Sequence, residues 1–254
     1  MANGGDLSRL VKARPFLFRR GPTGCLLVHG ITSTPFTVRE MGEWLAARGI
    51  TALAPVLAGH CRTWKRLEAT RWQDWYASVE EGYAALRKRC RRVFAAGLSM
   101  GGAQVLHLAA HHPELDGIIA MSPAAYLGNW RLKFLPLLRL VQRTTPPIGG
   151  AIADRSAPRE ICYDRLPLRS LAELLAFQRH LREELGLVRC PALIVQGRHD
   201  PVVPPGNAKF VWERIGSARK RLVILPRSSH VITMDLERLR LFRLSLGFLR
   251  KKGR

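Results

Sequence analysis

Apolar positions along this chain follow two spacings. Short, predominantly apolar runs at 25–28, 51–56, 93–96, 115–121, 192–197 and 221–225 have the length of strands in a buried sheet. Between them apolar residues recur every three or four positions, the period of a helix with one buried face. Val38, Met41, Trp44 and Leu45 mark one such helix, closed by Gly49. Trp72, Trp75, Tyr76, Val79, Tyr83 and Leu86 mark a longer one, whose aromatic stripe reads as core. A third runs from about residue 101 to 111, and the last carries Leu236, Leu239, Phe242, Leu246 and Leu249 on its apolar face. Pro15-Phe16-Leu17-Phe18 reads as an edge strand, and residues 1–14, polar and basic, as a loosely held arm. Strand and helix alternate through residue 123, which predicts an α/β chain with a mostly parallel sheet flanked by helices.

The alternation breaks between 124 and 188. That stretch holds a Pro-interrupted apolar helix (Leu132, Leu135, Leu138, Val141) and a Pro- and Gly-rich loop over 144–158. A helix follows, opened by a capping box at Ser170 and Glu173, with Leu171, Leu174, Leu175, Gln178, Leu181 and Leu185 on one face. A stretch of about 65 residues is too long for one crossover. It predicts a small helical cap over the carboxyl end of the sheet, where open α/β sheets bind ligands. The chain divides accordingly into a core of 1–123 and 189–254 and an inserted cap of 124–188.

One junction carries chemistry. The apolar run that ends at Ala96 leads into Gly97-Leu98-Ser99-Met100-Gly101 and then a helix, the setting of a nucleophile elbow. The turn there is so tight that only glycine fits two residues either side of the serine, and the helix N-terminus favours a developing negative charge beside it. Asp200 and His230 each follow a later strand, so the chain order is Ser, Asp, His. That is the order of an α/β-hydrolase triad, and a parallel sheet projects all three from one edge. A hydroxyl is a poor nucleophile unless a histidine takes its proton, and that histidine needs a carboxylate to fix its tautomer. The backbone N–H groups of Met100 and of Ile31, which follows His29-Gly30 at the end of the first buried strand, are the candidate oxyanion donors. Met100 and Val231, beside nucleophile and base, are candidate walls of the substrate pocket. His199 is set aside as base because it adjoins Asp200. Asp235 is set aside as acid because a carboxylate entering a helix favours the dipole. His60 reads as a residue that fixes its loop.

Composition changes this picture little. The 254 residues support one large core, and no run reaches the ~20 apolar residues of a membrane span. The start lacks the order of a secretion signal, so a cytoplasmic location is expected. Cys25, Cys61, Cys90, Cys162 and Cys190 are scattered without metal or disulfide spacing, and free, mostly buried thiols are expected. His107, His111 and His112 sit on a helix end without an accompanying carboxylate cluster, and no metal site is read there. The net charge of +22, with 33 arginines among 41 basic residues, raises a binder of nucleic acid or of an anionic membrane as a rival. Its spread along the chain, without interleaved aromatics, speaks for a solvated basic surface and no nucleic-acid partner.

Several motifs together resemble the small bacterial carboxylesterases and monoacylglycerol lipases of the α/β-hydrolase superfamily. They are Leu27-Val28-His29-Gly30-Ile31-Thr32, Pro55 with Gly59-His60, Trp72-Gln73-Asp74-Trp75, Gly97-Leu98-Ser99-Met100-Gly101-Gly102, Gly197-Arg198-His199-Asp200 and Ser229-His230-Val231-Ile232-Thr233. The resemblance implies a serine esterase with a short cap, no metal or organic cofactor, and small or medium acyl esters as substrates. Monoacylglycerol lipase, thioesterase, acyltransferase and amidase activities use the same triad, and the sequence leaves them open.

Overall fold

The computed structural model describes residues 13–146, 151–157 and 163–251. In chain order these form β1 (Phe16–Phe18), β2 (Thr23–Val28), α1 (Phe36–Ala46), β3 (Thr51–Ala54), α2 (Trp64–Glu68), α3 (Trp72–Arg87), β4 (Arg92–Leu98), α4 (Met100–His111) and β5 (Gly117–Met121). They continue with α5 (Leu135–Val141), β6 (Thr144–Thr145), β7 (Leu166–Pro167), α6 (Leu168–Glu184), β8 (Ala192–Gly197), α7 (Gly206–Arg214), β9 (Lys220–Leu225) and α8 (Arg238–Arg250). Strands β6 and β7 pair with each other, and the other seven form one sheet in the order β1-β3-β2-β4-β5-β8-β9. All its pairings are parallel except that of the edge strand β1 with β3. The expected sheet flanked by helices is therefore present. The N-terminal arm through residue 12, Cys162 and the end of the C-terminal basic run lie outside the described residues.

The apolar runs are explained by a core on each face. Along β4, Val93 and Ala95 face the core under α3, α4, α6 and α7, whereas Phe94, Ala96 and Leu98 face the core under α1 and α8. A strand covered on both sides leaves little room for polar side chains, and Gln196 of β8 is kept by its bond to Asp200. The register keeps the strand ends level: Val28 pairs with Gly97, Leu98 with Met121, Met121 with Val195 and Gly197 with Leu225. From β2 the chain steps to β3 on one side, and after β3 it returns to β4 on the other. The switch point thus lies between the carboxyl ends of β2 and β4, where a crevice opens.

Four elements differ from expectation. The helix expected to open at a Ser170–Glu173 capping box starts at Leu168, so Ser170 is interior and buried and its Oγ has no hydrogen-bond partner. Glu173 instead accepts the backbone N–H of Trp72. Helix α7, unanticipated, follows Pro204 and Pro205. Helix α8 is rotated: Leu241, Phe242, Ser245 and Leu249 are buried, while Leu239, and Leu236 ahead of the helix, are exposed. Helix α5 buries only Leu135 and turns Leu137, Leu138, Leu140 and Val141 outward.

Cys25, Cys90 and Cys190 are buried free thiols and Cys61 is exposed. Burial pushes Cys25 and Cys190 up to about 12, which leaves both unreactive as nucleophiles. At the amino ends of β5, β8 and β9, a groove of about 660 Å³ beside α8 is lined by Arg92, Arg219, Arg221, Arg243 and Lys251, with Asp116 among them. Basic residues far apart in sequence thus gather at the end of the sheet opposite the crevice.

Candidate active site

Ser99 stands between β4 and α4 with φ 60° and ψ −118°, a conformation that costs a non-glycine residue on the order of 1–3 kcal/mol. Its surroundings enforce it. A Cβ on Gly97 would stand 2.0 Å from the Gly101 carbonyl oxygen, so strand and helix can meet this closely only through glycine. The Ser99 N–H donates to Met121 O at 2.8 Å, and its own carbonyl accepts the Ala124 N–H at 3.1 Å. The serine is thereby locked to the end of β5. On the β2 side, a Cβ on Gly30 would lie 3.3 Å from Ser99 Cβ, which places the Gly30-Ile31 turn directly beside Ser99.

Asp200 and His230 arrive on two further loops and meet. The His230 Nδ1–H donates to Asp200 Oδ2 at 2.6 Å. Gln196 Nε2 donates to the same oxygen at 2.7 Å, and the N–H groups of Val202 and Val203 donate to Oδ1, each at 2.8 Å. Four donors thus fix a carboxylate whose side chain is fully buried. With Nδ1 donating, the tautomer leaves Nε2 as a lone-pair acceptor. The histidine is also tied to the serine's support: Ser122 Oγ donates to His230 O at 2.9 Å, and Ser122 itself has φ 43°. Consecutive residues, Met121 and Ser122, therefore hold Ser99 and His230. The Asp–His bond is formed in this structure and the Ser–His bond is not; catalytic hydrogen bonds commonly close only with substrate.

Asp235 does more than the sequence indicated. It is wholly buried, and its Oδ2 accepts the Ser229 N–H at 2.6 Å. Its Oδ1 accepts N–H groups from Ala153, Asp154 and Leu236. It staples the His230 loop to residues 151–154, where Ala151 O takes the N–H groups of His230 and Val231. It is not a helix-dipole residue, because α8 begins only at Arg238. His199 is exposed, apart from the buried Asp200–His230 pair. Met100 and Val231 are both buried, the first in the core under α4 and the second in the core on the opposite face of the sheet.

The loop after β2 rests on histidines. His29 Nδ1 donates to Gly30 O at 2.9 Å, and its Nε2 accepts the Leu57 N–H at 3.3 Å. Burial, with the His60 ring 5.0 Å away, lowers His29 to about 3, and burial lowers His60 to about 4. His60 fixes its loop through Nδ1 and Ala58 O. Tyr163, which no sequence signal marked, donates its N–H to Thr32 O and its hydroxyl to Gly59 O. The partners lie about a hundred residues away, beyond the reach of any local pattern. Gln178 and Arg182 of α6 bond the carbonyls of Ala124 and Ala125, just beyond Ser99's anchor.

The expectation that the α4 histidines lack a carboxylate is corrected. Glu184 of α6 meets His107 and His111, and Glu80 and Glu114 meet His112. The carboxylate of Glu184 comes from more than seventy residues away, which a reading of neighbouring sequence misses.

Comparison with known proteins agrees with this geometry. Residues 23–237 match the model of the serine aminopeptidase S33 family. The chain is 38% identical over 244 residues to a thermostable monoacylglycerol lipase of Bacillus sp. (strain H-257), covering 94% of this chain and 95% of that protein. It is 28% identical over 231 residues to a carboxylesterase of Bacillus subtilis (strain 168), covering 91% and 93%. Among solved structures, one from work on the metagenome-derived lipolytic enzymes LipS and LipT superposes with a TM-score of 0.91 at 33% identity, covering 95% of this chain and 98% of that one. With the parallel sheet and the Ser, Asp, His order along it, these likenesses establish that the chain belongs to the serine aminopeptidase S33 family of the α/β-hydrolase superfamily.

Proposed function

We propose that the chain hydrolyses carboxylic esters of short- to medium-chain acyl groups through an acyl-enzyme on Ser99. The observation that carries this reading is the 2.6 Å Asp200–His230 hydrogen bond, level with a strained Ser99 at the switch point of the sheet. In this scheme His230 Nε2 takes the Ser99 proton as Oγ attacks the ester carbonyl, and Asp200 stabilises the imidazolium. The oxyanion accepts hydrogen bonds from the N–H groups of Met100 and Ile31; losing one such donor costs ~3–4 kcal/mol of transition-state stabilisation. Collapse expels the alcohol, protonated by His230. Water, deprotonated by the same nitrogen, then attacks the acyl-enzyme and frees the acid and Ser99.

Residues 124–188 serve as the cap in this reading, held over the site by Gln178, Arg182 and Tyr163. A monoacylglycerol lipase is the second reading. The 38% identity to the Bacillus lipase favours it, as do the outward-facing Leu137, Leu140 and Val141 of α5, which offer an acyl chain an apolar approach. Initial rates on p-nitrophenyl esters from acetate to palmitate, run beside a monoacylglycerol with Ser99→Ala as the blank, test both. A maximum at short or medium chains that vanishes in the variant supports the esterase, and a dominant monoacylglycerol rate supports the lipase. Rates equal to the variant's throughout would reject ester hydrolysis for this triad.

A further inference from the structure

Away from the Ser99 site, four metal-ligating side chains converge between α4 and α6. His107 and His111 stand one turn apart on α4, and His180 and Glu184 stand one turn apart on α6, so each helix directs two donors from one face. Their focus is the Glu184 carboxylate. Oε2 lies 2.6 Å from His107 Nδ1, and Oε1 lies 3.1 Å from His111 Nε2 and 3.0 Å from His180 Nε2. The donor atoms of His107, His111 and Glu184 all lie within 4.8 Å of one another. The side chains of His107 and Glu184 are 5% and 12% exposed, whereas His111 and His180 are 48% and 44% exposed. The cluster therefore has a buried floor and a side open to solvent. Trp72 packs against His107 and His180, and Tyr76 and Phe177 pack against His107, which restricts the ring orientations.

We propose that His107, His111, His180 and Glu184 bind a divalent transition-metal ion of the zinc class. Three imidazole nitrogens and one carboxylate oxygen are a familiar zinc donor set. At ligand distances of 2.0–2.2 Å, the donors around a tetrahedral ion stand about 3.3 Å apart. The separations from the Glu184 oxygens fall just short of that, and His107, His111 and Glu184 form the preassembled part of the site, whereas His180 joins it only through Glu184, so the ion enters as the carboxylate yields and the His180 ring turns in as the fourth ligand. The ion takes no part in the ester chemistry, since His107 lies about 10 Å along α4 from Met100. Its effect is to clamp α6 onto the helix that carries the nucleophile.

The test uses the full chain stripped with a chelator and titrated with Co²⁺, then Zn²⁺, beside the double variant His111→Gln/His180→Gln. Both substituted residues are half exposed, so the variant keeps its core, and an unchanged metal-free Tm verifies this. The expected result is one Co²⁺ per chain, visible d–d bands without a thiolate charge-transfer band, displacement by Zn²⁺ and a zinc-dependent rise in Tm. Affinity falls on the order of 100-fold in the variant and the rise in Tm disappears. Absence of saturable binding by the parent chain, or equal binding and an equal Tm rise in the variant, would overturn the proposal. A thiolate band would do so too, because it would place the ion at a cysteine such as the exposed Cys61.

Discussion

Gly197 and Ser229 make one of the closest backbone approaches of the site: a Cβ on Gly197 would stand 1.8 Å from the Ser229 carbonyl oxygen. The two loops that carry Asp200 and His230 are pressed together there, and a methyl group must force them apart. Gly197→Ala is therefore expected to cost about 3 kcal/mol or more in denaturant unfolding and to lower kcat by at least tenfold. A variant with wild-type values of both would show that the loops adjust independently. Asp200→Asn keeps the volume but admits the wrong imidazole tautomer, and kcat is expected to fall by about 10⁴ with the melting curve little changed. The buried histidines set the acid limit. His29 and His60 are lowered to about 3 and about 4, mainly by burial, so below pH 6.5 the unfolded chain takes up protons that the folded chain refuses. Stability is then full above pH 6.5 and falls with acidification, by up to roughly 3 kcal/mol per pH unit for the pair, until the folded values are reached. For His29 burial comes first and the neighbouring His60 second. Denaturant midpoints between pH 7 and 4 measure the slope, and His60→Phe is expected to remove about half of it. A flat profile in the parent chain would contradict neutral burial.

Element by element, legibility depends on how completely the environment constrains a segment. Buried strands are readable because both faces meet core, so β2, β4, β5 and β8 show as apolar runs. The Ser99 elbow and the motifs of Asp200 and His230 are readable because glycines and strand ends surround them in sequence. Helix faces are less so. In α8 the leucines at 236 and 239 match the helical period as well as those at 241 and 249, and only packing on the sheet decides between them. Phe242→Ala is accordingly expected to cost ~3–5 kcal/mol, while Leu239→Ala stays within about 0.5 kcal/mol. Thermal melts of the two variants settle the face. Helix α5 misleads for the opposite reason, since most of its apolar residues are not core at all. Residues 124–188 hold the least readable contacts, because Tyr163, Gln178 and Glu184 act through partners more than fifty residues away.

Over the whole molecule, charge and chemistry separate. Ser99, Asp200 and His230 follow the carboxyl ends of β4, β8 and β9, and the arginine-lined groove lies at the amino edge, beside α8. A chain of net charge +22 repels itself, and Arg219, Arg221 and Arg243 concentrate the repulsion at one end. Raising NaCl from 10 to 150 mM shortens the Debye length from about 30 to about 8 Å. Tm is therefore expected to rise over that range, and to rise less in Arg219→Gln/Arg243→Gln; a salt-independent Tm would show that the cations do not strain the fold. The anchoring of Ser99 and His230 on Met121 and Ser122 has a further consequence. The placement of Ser99 relative to His230 is gauged by the backbone of residues 121–124, with the Ala151 carbonyl as a second hold on His230. Replacing the stretch between residue 125 and residue 150 by grafting is therefore expected to leave Ser99 and His230 in register, provided residues 151–154 keep their place. A graft that extends through α6 must also return hydrogen-bond donors for the carbonyls of Ala124 and Ala125, which Gln178 and Arg182 now supply.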